Sequence, residues 1–194
     1  VDFAQSGRKG PSIYPFTGLG ARLRVDAGGG WSFKLAAVEA VPGDPDRPGR
    51  FVPTDPIGAG GALLVGEAAH AGPGRRVILG HWRYTAAFQR LDPSGPSAEP
   101  GRARGNAGAY ALLEGTLVPG TEPAKPQLSG WVRLGVADPR FSPVDIYLGG
   151  GLVVRSPVGA RPDDRLGVAL ALARFGGEWR RAQAAEGVAT DGHE

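Results

Sequence analysis

The chain has 194 residues and a formal net charge of +3, with 22 basic and 19 acidic residues and no cysteine. Without cysteine it can form neither disulfide bonds nor cysteine metal sites, and no basic cluster alternates with exposed aromatics as in nucleic-acid-binding proteins. No apolar run approaches the roughly 20 residues of a transmembrane helix, although strands could still cross a membrane. The 33 glycines and 18 prolines are interleaved with Val, Leu and Trp, which predicts many turns and strands of small residues.

Alternating apolar and polar residues predict four strands in the first half, because successive side chains of a strand point to opposite faces. These strands are Leu19–Val25, Trp31–Ala37, Ala62–His70 and Ile78–Thr85. Glycine-rich segments predict tight turns after the first and third strands, and proline-rich residues 41–60 and polar residues 86–105 predict long loops. The third strand is apolar on both parities except at Glu67, whose direction the pattern does not assign.

The second half contains a further strand, Ala109–Leu117, and then a clear β-hairpin. The hairpin joins Leu128–Ala137 to Val144–Val154 through a turn rich in proline, and it has one apolar face and one mixed, polar face. Leu166–Leu172 alternates like a strand, but its alanines equally permit a helix. The polar tail has helical potential around Glu178–Ala185.

In these predicted strands the apolar parity carries aromatic residues near strand ends, namely Trp31, Trp82 and Tyr84. The other parity carries Arg22, Arg24, Lys34, Arg83, Glu114, Arg133, Asp145 and Tyr147. A soluble β-sandwich would bury the apolar parity in a core, whereas an outer-membrane barrel would turn it to lipid and the polar parity to an aqueous lumen. Alternation does not separate these folds, but the loop lengths and the aromatic positions favour the barrel.

Five passages resemble the carbohydrate-selective porin family of Gram-negative outer membranes, OprB. They are FAQSGRKGPSIYPFTGLGARLRV (Phe3–Val25), AAVEAVPGDPDRPG (Ala36–Gly49), GALLVGEAAH (Gly61–His70), LSGWVRLGVADPRFSPVDIYLGGGLV (Leu128–Val153) and RPDDRLGVALALARF (Arg161–Phe175). The resemblance implies an all-β fold, a sixteen-stranded antiparallel transmembrane β-barrel in the bacterial outer membrane that lets sugars diffuse into the periplasm. It also implies that Leu166–Leu172 is a strand.

About half of the family's strands fit in this length of chain. We therefore expect residues 1–181 to form part of a porin barrel and residues 182–194 to be a polar tail or loop. A signal peptide, the early strands and the final strands are expected to lie outside this sequence.

A sugar-selective pore needs hydrogen-bonding groups for hydroxyls and aromatic surfaces for the apolar ring faces. Arginine suits this task because its planar fork donates to two hydroxyls at once. The predicted pore-lining residues are Arg22, Arg24, Lys34, Arg83, Glu114, Arg133 and Asp145, with Tyr147 as a stacking surface. The alternative for each is that it only solvates the barrel wall or pairs with a neighbour. The expected partners are small carbohydrates and outer-membrane lipid, with no nucleic acid.

No pattern of catalytic or metal-binding residues is present in the sequence. His70, His81 and His193 lack zinc-site spacing, and Asp44–Asp46 and Asp163–Asp164 lack the spacing of a calcium loop. We predict no enzyme activity, no metal and no other cofactor. Two alternatives remain open: a soluble β-sandwich that binds sugar, and an outer-membrane scaffold or adhesin that transports nothing.

Overall fold

The computed structural model describes residues 18–40, 61–91, 101–120, 127–156, 161 and 163–185. The strands are β1 (Gly20–Gly28), β2 (Trp31–Glu39), β3 (Ala62–Gly72), β4 (Arg75–Tyr84), β5 (Phe88–Gln89), β6 (Arg102–Ala103), β7 (Ala107–Val118), β8 (Gln127–Ala137), β9 (Val144–Arg155) and β10 (Arg165–Phe175), followed by helix α1 (Gly177–Ala185). The predictions for Asp44–Asp46 and His193, and much of the two predicted long loops, lie outside the described residues.

Eight strands form one antiparallel sheet in the order β1-β2-β3-β4-β7-β8-β9-β10. β5 and β6 form a separate two-stranded ribbon within the connection from β4 to β7. Among the described residues β1 and β10 each pair on one side only, so the main sheet has two open edges. The predicted all-β antiparallel architecture is confirmed, and the ambiguous Leu166–Leu172 segment is a strand within β10.

The connections gather at two ends of the main sheet. At the turn end, β1–β2 and β3–β4 are joined by Gly29-Gly30 and Pro73-Gly74, where Gly29, Gly30 and Gly74 have φ angles of 57°, 83° and 68°. Such positive φ angles favour glycine because it has no Cβ to clash with the backbone. At the opposite end, the loop end, the chain leaves β2, β4 and β8 and enters β3, β7 and β9.

The two faces of the main sheet differ in chemistry. Directly paired residues of neighbouring strands lie on the same face, so the strand register assigns the face of every paired residue. We call one side the apolar face; it carries Leu23, Leu35, Leu79, Leu113, Leu134, Leu148 and Leu170. These leucines are exposed, with Leu35 at 60% and Leu170 at 78%. The opposite side, which we call the polar face, carries Lys34, Glu67, Tyr110, Arg133 and Tyr147.

The β5–β6 ribbon folds over the polar face at the loop end. Leu63 and Tyr84, which point to the polar face, form a buried cluster with Phe88 of β5 and Phe141 of the β8–β9 turn. The Tyr84 and Phe88 rings meet edge to face with centroids 4.9 Å apart. Burial of these aromatic rings stabilises the ribbon in this position.

The predicted faces of β4 are reversed in the structure. Trp82 and Tyr84 belong to the polar face, and Arg83 belongs to the apolar face, where it lies opposite Leu64 of β3 and Ala107 of β7. The prediction assumed that the aromatic parity of β4 faces away from the polar side chains. The ribbon reverses this, because it supplies an apolar partner for the β4 aromatics on the polar face. Trp31 does lie on the apolar face, as predicted.

Helix α1 begins directly after β10, at the loop end. Its first turn contains Glu178, whose negative charge is favourable near a helix N-terminus. Trp179 stacks on Phe175 of β10 with ring centroids 4.5 Å apart. The helical potential of the tail is confirmed for this segment, and no helix in the described residues has the length and hydropathy to cross a membrane.

Candidate pore-lining surface

A row of polar side chains crosses the polar face. Arg24 of β1 lies opposite Lys34 of β2, which in turn lies opposite Glu67 of β3. The Lys34 Nζ atom is 2.5 Å from Glu67 Oε1, and the Tyr110 hydroxyl of β7 donates a hydrogen bond of 3.0 Å to Glu67 Oε2. Both carboxylate oxygens of Glu67 therefore have a partner, and one hydrogen-bonded network spans strands β2 to β7.

Gly80 allows this network to cross β4. In the register Gly80 lies between Glu67 and Tyr110, and a Cβ at this position would overlap the Tyr110 ring. The missing side chain lets the ring lie over β4 and its hydroxyl reach the next strand. Gly80 thus contributes by having no side chain, because the Tyr110 ring occupies the space that a side chain would fill.

A second ion pair lies nearer the turn end. Arg76 of β4 is opposite Glu114 of β7, with Nη1 3.4 Å from Oε1, and the two side chains are 41% and 43% exposed. On β1, Arg24 forms a bidentate pair with Asp26 at 2.8–3.1 Å. The polar face thus carries these three ion pairs, whose hydrogen-bonding atoms are already oriented.

Trp131 and Arg133 of β8 form an aromatic and basic pair on the same face. Trp131 packs against the buried cluster of Ala69, Ile78 and Leu112. The Arg133 guanidinium carbon lies 5.7 Å from the centroid of the Trp131 ring, which is within the range of a cation–π interaction. Among the residues that the structure describes, Arg133 therefore lies beside an aromatic surface rather than in an ion pair.

Charged residues also connect the elements at the loop end. Arg90, which follows β5, is 3.1 Å from Glu178 of α1, and the Leu91 N–H donates to the Arg140 carbonyl at 2.9 Å. Asp138 pairs with Arg140 at 2.6 Å. The hydrogen bonds from Arg140 hold the pKa of Asp138 below its usual value. The ribbon, the β8–β9 turn and α1 are thereby joined over one end of the polar face.

The comparisons with known proteins agree with this architecture. The family described as "Carbohydrate-selective porin, OprB family" matches residues 2–194. The chain belongs to this family. No curated protein sequence matches it.

The solved structure of Pseudomonas putida OprB, determined at high pH, is similar to this OprB-family chain. The TM-score is 0.74 at 18% sequence identity, over 92% of this chain and 46% of the Pseudomonas chain. This likeness shows the fold, and the chain spans about half the length of the porin that it matches. The family and fold expected from the five sequence passages are confirmed.

Six of the eight predicted site residues share the polar face of this OprB-family sheet. They are Arg22, Arg24, Lys34, Glu114, Arg133 and Tyr147; Arg83 faces the other way, and Asp145 lies at the bulge where the register between β9 and β10 shifts. The eight residues are not all equally available to a ligand. Asp145 is engaged by Arg174 in a bidentate pair at 2.8 and 3.0 Å, and its side chain is 12% exposed.

Sequence reasoning missed several polar-face residues of the OprB-family chain. Glu67 lies in a strand that is apolar on both parities, so its direction is identified by its partners Lys34 and Tyr110 and not by the sequence pattern. Tyr110 and Trp131 were visible on the polar parity, but nothing in the sequence indicated the network or the arginine that they meet. Arg90 and Glu178 are 88 residues apart, and no local signal relates them. Within the described residues no cluster of His, Asp or Glu suitable for a metal ion occurs.

Proposed function

We propose that this chain forms part of an outer-membrane porin through which carbohydrates diffuse. The observation that supports this most strongly is the contrast between the two faces of one continuous sheet. Large leucines are exposed on the apolar face, while the polar face carries cross-strand charged pairs. Water-soluble proteins rarely expose an apolar surface that extends over eight strands, whereas a barrel in lipid requires one.

The placement of aromatic and charged residues on the apolar face is consistent with a lipid boundary. Trp31 begins β2 at the turn end and is 49% exposed on the apolar face. It contacts Phe33 and His70 of the same face, with ring centroids 6.2 and 4.8 Å apart. Aromatic rings at this level are typical of the girdle that flanks the lipid-facing band of a barrel.

The polar face suits a neutral, hydroxyl-rich solute. Arg24, Lys34 and Arg76 are each paired with a carboxylate, so the surface offers both donors and acceptors to the hydroxyl groups of a sugar. Trp131 beside Arg133 offers a ring surface and a planar donor within one contact. Sugars bound weakly by such groups can move on to the next site, which diffusion through a pore requires.

The ribbon and α1 would narrow the pore at the loop end. Both are attached to elements that carry the polar face, through the Tyr84–Phe88 contact and the Arg90–Glu178 pair. A cover at this end would limit the size of the solutes that enter the pore, and it would not change them chemically. We infer a transport channel rather than an enzyme, because diffusion of a sugar needs no covalent step.

The test is single-channel conductance of the full-length protein in planar lipid bilayers. We expect steps of conductance that added sugar reduces in a saturable manner. A protein that inserts but shows no steps would be a scaffold, and one that stays soluble without detergent would be a β-sandwich; either result removes the porin proposal.

A matched pair of variants tests the assignment of the faces. Arg133→Ala removes a polar-face arginine, and we expect weaker sugar block. Arg83→Ala is the same substitution on the apolar face, and we expect the sugar block to be unchanged. An equal effect of both variants would contradict the assignment.

A further inference from the structure

A pair of basic side chains lies on the apolar face at the loop end. His81 and Arg83 are two residues apart on β4, so they point to the same side, and both are exposed. In the part of the chain that the structure describes, neither makes an ion pair or hydrogen bond. Two unpaired basic groups on a leucine-rich face need a partner outside the sheet.

The neighbours of these two residues leave room for such a partner. His81 lies between Gly66 of β3 and Ala109 of β7, and Arg83 lies between Leu64 and Ala107. Three of these four neighbours are glycine or alanine, and their small size leaves the two basic side chains accessible from outside the sheet. The β3 and β7 residues paired on this face include no carboxylate, and Glu39 of β2 lies on the far side of β3.

The position along the strand indicates which kind of partner fits. Arg83 is the penultimate residue of β4, at the loop end, whereas Val77 and Leu79 continue the same face towards the turn end. A basic residue on a lipid-facing strand is tolerated best near the membrane interface. There the acyl chains of a lipid contact the leucines while its headgroup reaches the basic pair.

We propose that His81 and Arg83 bind the phosphate of a lipid headgroup in the membrane leaflet next to the loop end. Arg83 supplies a planar fork of donors that matches phosphate oxygens, and His81 adds a further donor. The proposal rests on the outer-membrane placement of the sheet, but it does not depend on whether the pore conducts sugar. It also explains why an arginine occurs within an apolar face.

Native mass spectrometry of the full-length protein in detergent provides the test, with diphosphoryl lipid A as the probe and its dephosphorylated form as the reference. We expect the diphosphoryl form to bind more tightly. The double variant His81→Ala with Arg83→Ala should weaken that binding by at least about fivefold, since one basic residue near an anionic lipid surface contributes about this factor. Arg83→Lys, which keeps the positive charge, should bind more tightly than Arg83→Ala.

The matched control is Arg75→Ala, which removes an exposed arginine from the same face of the same strand at the turn end. We expect it to leave lipid binding unchanged. Equal binding of both lipid forms, or an equal loss in Arg75→Ala and the double variant, would overturn the proposal.

Two further measurements keep the outcome interpretable. If the double variant changes the oligomeric state while lipid binding stays the same, the basic pair contacts another protein subunit and the proposal is wrong. Channel conductance is recorded on the same samples and should be unaffected, so a failure of the porin proposal is distinguishable from a failure of lipid binding. Heat-modifiable migration on gels verifies that each variant is folded.

Discussion

At the scale of single residues, Gly80 is important because of the space above it. The Tyr110 ring occupies the volume that a side chain at position 80 would fill, and this places the Tyr110 hydroxyl 3.0 Å from Glu67. The network across β2 to β7 therefore depends on a residue that takes no part in any of its hydrogen bonds. A pattern of polar residues alone does not identify such a position.

We predict that Gly80→Ala destabilises the protein by about 1–3 kcal/mol, the usual cost of overpacking. The measurement is the temperature at which gel migration changes from the folded to the unfolded form. Gly66→Ala is the control, because a Cβ at Gly66 would meet only Leu35 Cδ2 at 3.6 Å, an ordinary contact. Equal transition temperatures for wild type and Gly80→Ala would show that Tyr110 does not need this space.

Glu67 is the carboxylate that balances Lys34 on the polar face. We predict that Glu67→Gln shifts the selectivity of the channel towards anions, because Lys34 then loses the carboxylate that balances its charge. The measurement is the reversal potential in a salt gradient across a planar bilayer. Glu39→Gln removes a carboxylate from the apolar face of the neighbouring strand and should leave the reversal potential unchanged; a shift in both variants would argue against a lumen-facing Glu67.

At the scale of elements, the β8–β9 turn holds the cover of the polar face in place. Its Arg140 carbonyl accepts a hydrogen bond from Leu91, and its Phe141 packs in the cluster that contains Phe88. Asp138 fixes the turn by accepting hydrogen bonds from the Arg140 backbone N–H and guanidinium. The position of the ribbon therefore depends on the Asp138–Arg140 ion pair in the neighbouring turn.

This contact gives a pH dependence whose sign follows from the lowered pKa of Asp138. A carboxyl with a depressed folded-state pKa stabilises the fold above its ordinary value of about 3.9, and this contribution is lost as the pH falls through the folded-state pKa. We predict that Asp138→Asn lowers the thermal transition temperature at neutral pH and that its difference from wild type disappears in acid. Asp163→Asn, in an exposed loop without an ion pair in the described residues, is the control and should show no such difference.

The elements could be predicted well where the local pattern decides the structure. The β8–β9 hairpin follows from alternation over two runs joined by turn residues, and the structure has it at Gln127–Ala137 and Val144–Arg155. The reversed faces of β4 could not be predicted, because they depend on Phe88 of the ribbon packing on Tyr84. Leu166–Leu172 needed the family resemblance, since alanine-rich alternation fits a helix and a strand alike.

At the scale of the whole molecule, the central prediction is that the two faces meet different solvents. Ala36 and Ala37 are adjacent on β2, with Ala36 on the polar face and Ala37 on the apolar face. The chain has no cysteine, so Ala36→Cys and Ala37→Cys each introduce a single thiol into it. In lipid vesicles we expect a hydrophilic maleimide to label Ala36→Cys and to leave Ala37→Cys unlabelled.

The same experiment separates the porin from a soluble fold. A β-sandwich would bury the apolar side in its own core in detergent-free solution, so the labelling of the two variants would be the same with and without lipid. Denatured samples of both variants must label fully, which excludes an intrinsic difference in thiol reactivity. Faster labelling of Ala37→Cys than of Ala36→Cys in vesicles would mean that the assignment of the faces is inverted.

The whole-molecule architecture was predictable only in part. Family and strand type followed from the sequence, and six of the eight candidate residues share one face. The links between distant residues did not follow, because pairs such as Lys34–Glu67 and Arg90–Glu178 form only after the strands have paired and the ribbon has folded over them. Their energies depend on proximity in space, which no local pattern encodes.

The order of strands in the main sheet has a consequence for how the wall is built. Apart from the excursion through the ribbon, every strand pairs with its immediate predecessor in the chain. The sheet can therefore be extended one hairpin at a time from an existing edge, because each strand pairs with a neighbour that is also near it in the sequence. Because a hairpin contributes two strands, gain or loss of a whole hairpin preserves the antiparallel direction and the alternation of faces in all the others. A sheet of this kind can therefore become wider or narrower by two strands without a change in the sequence of the strands that remain.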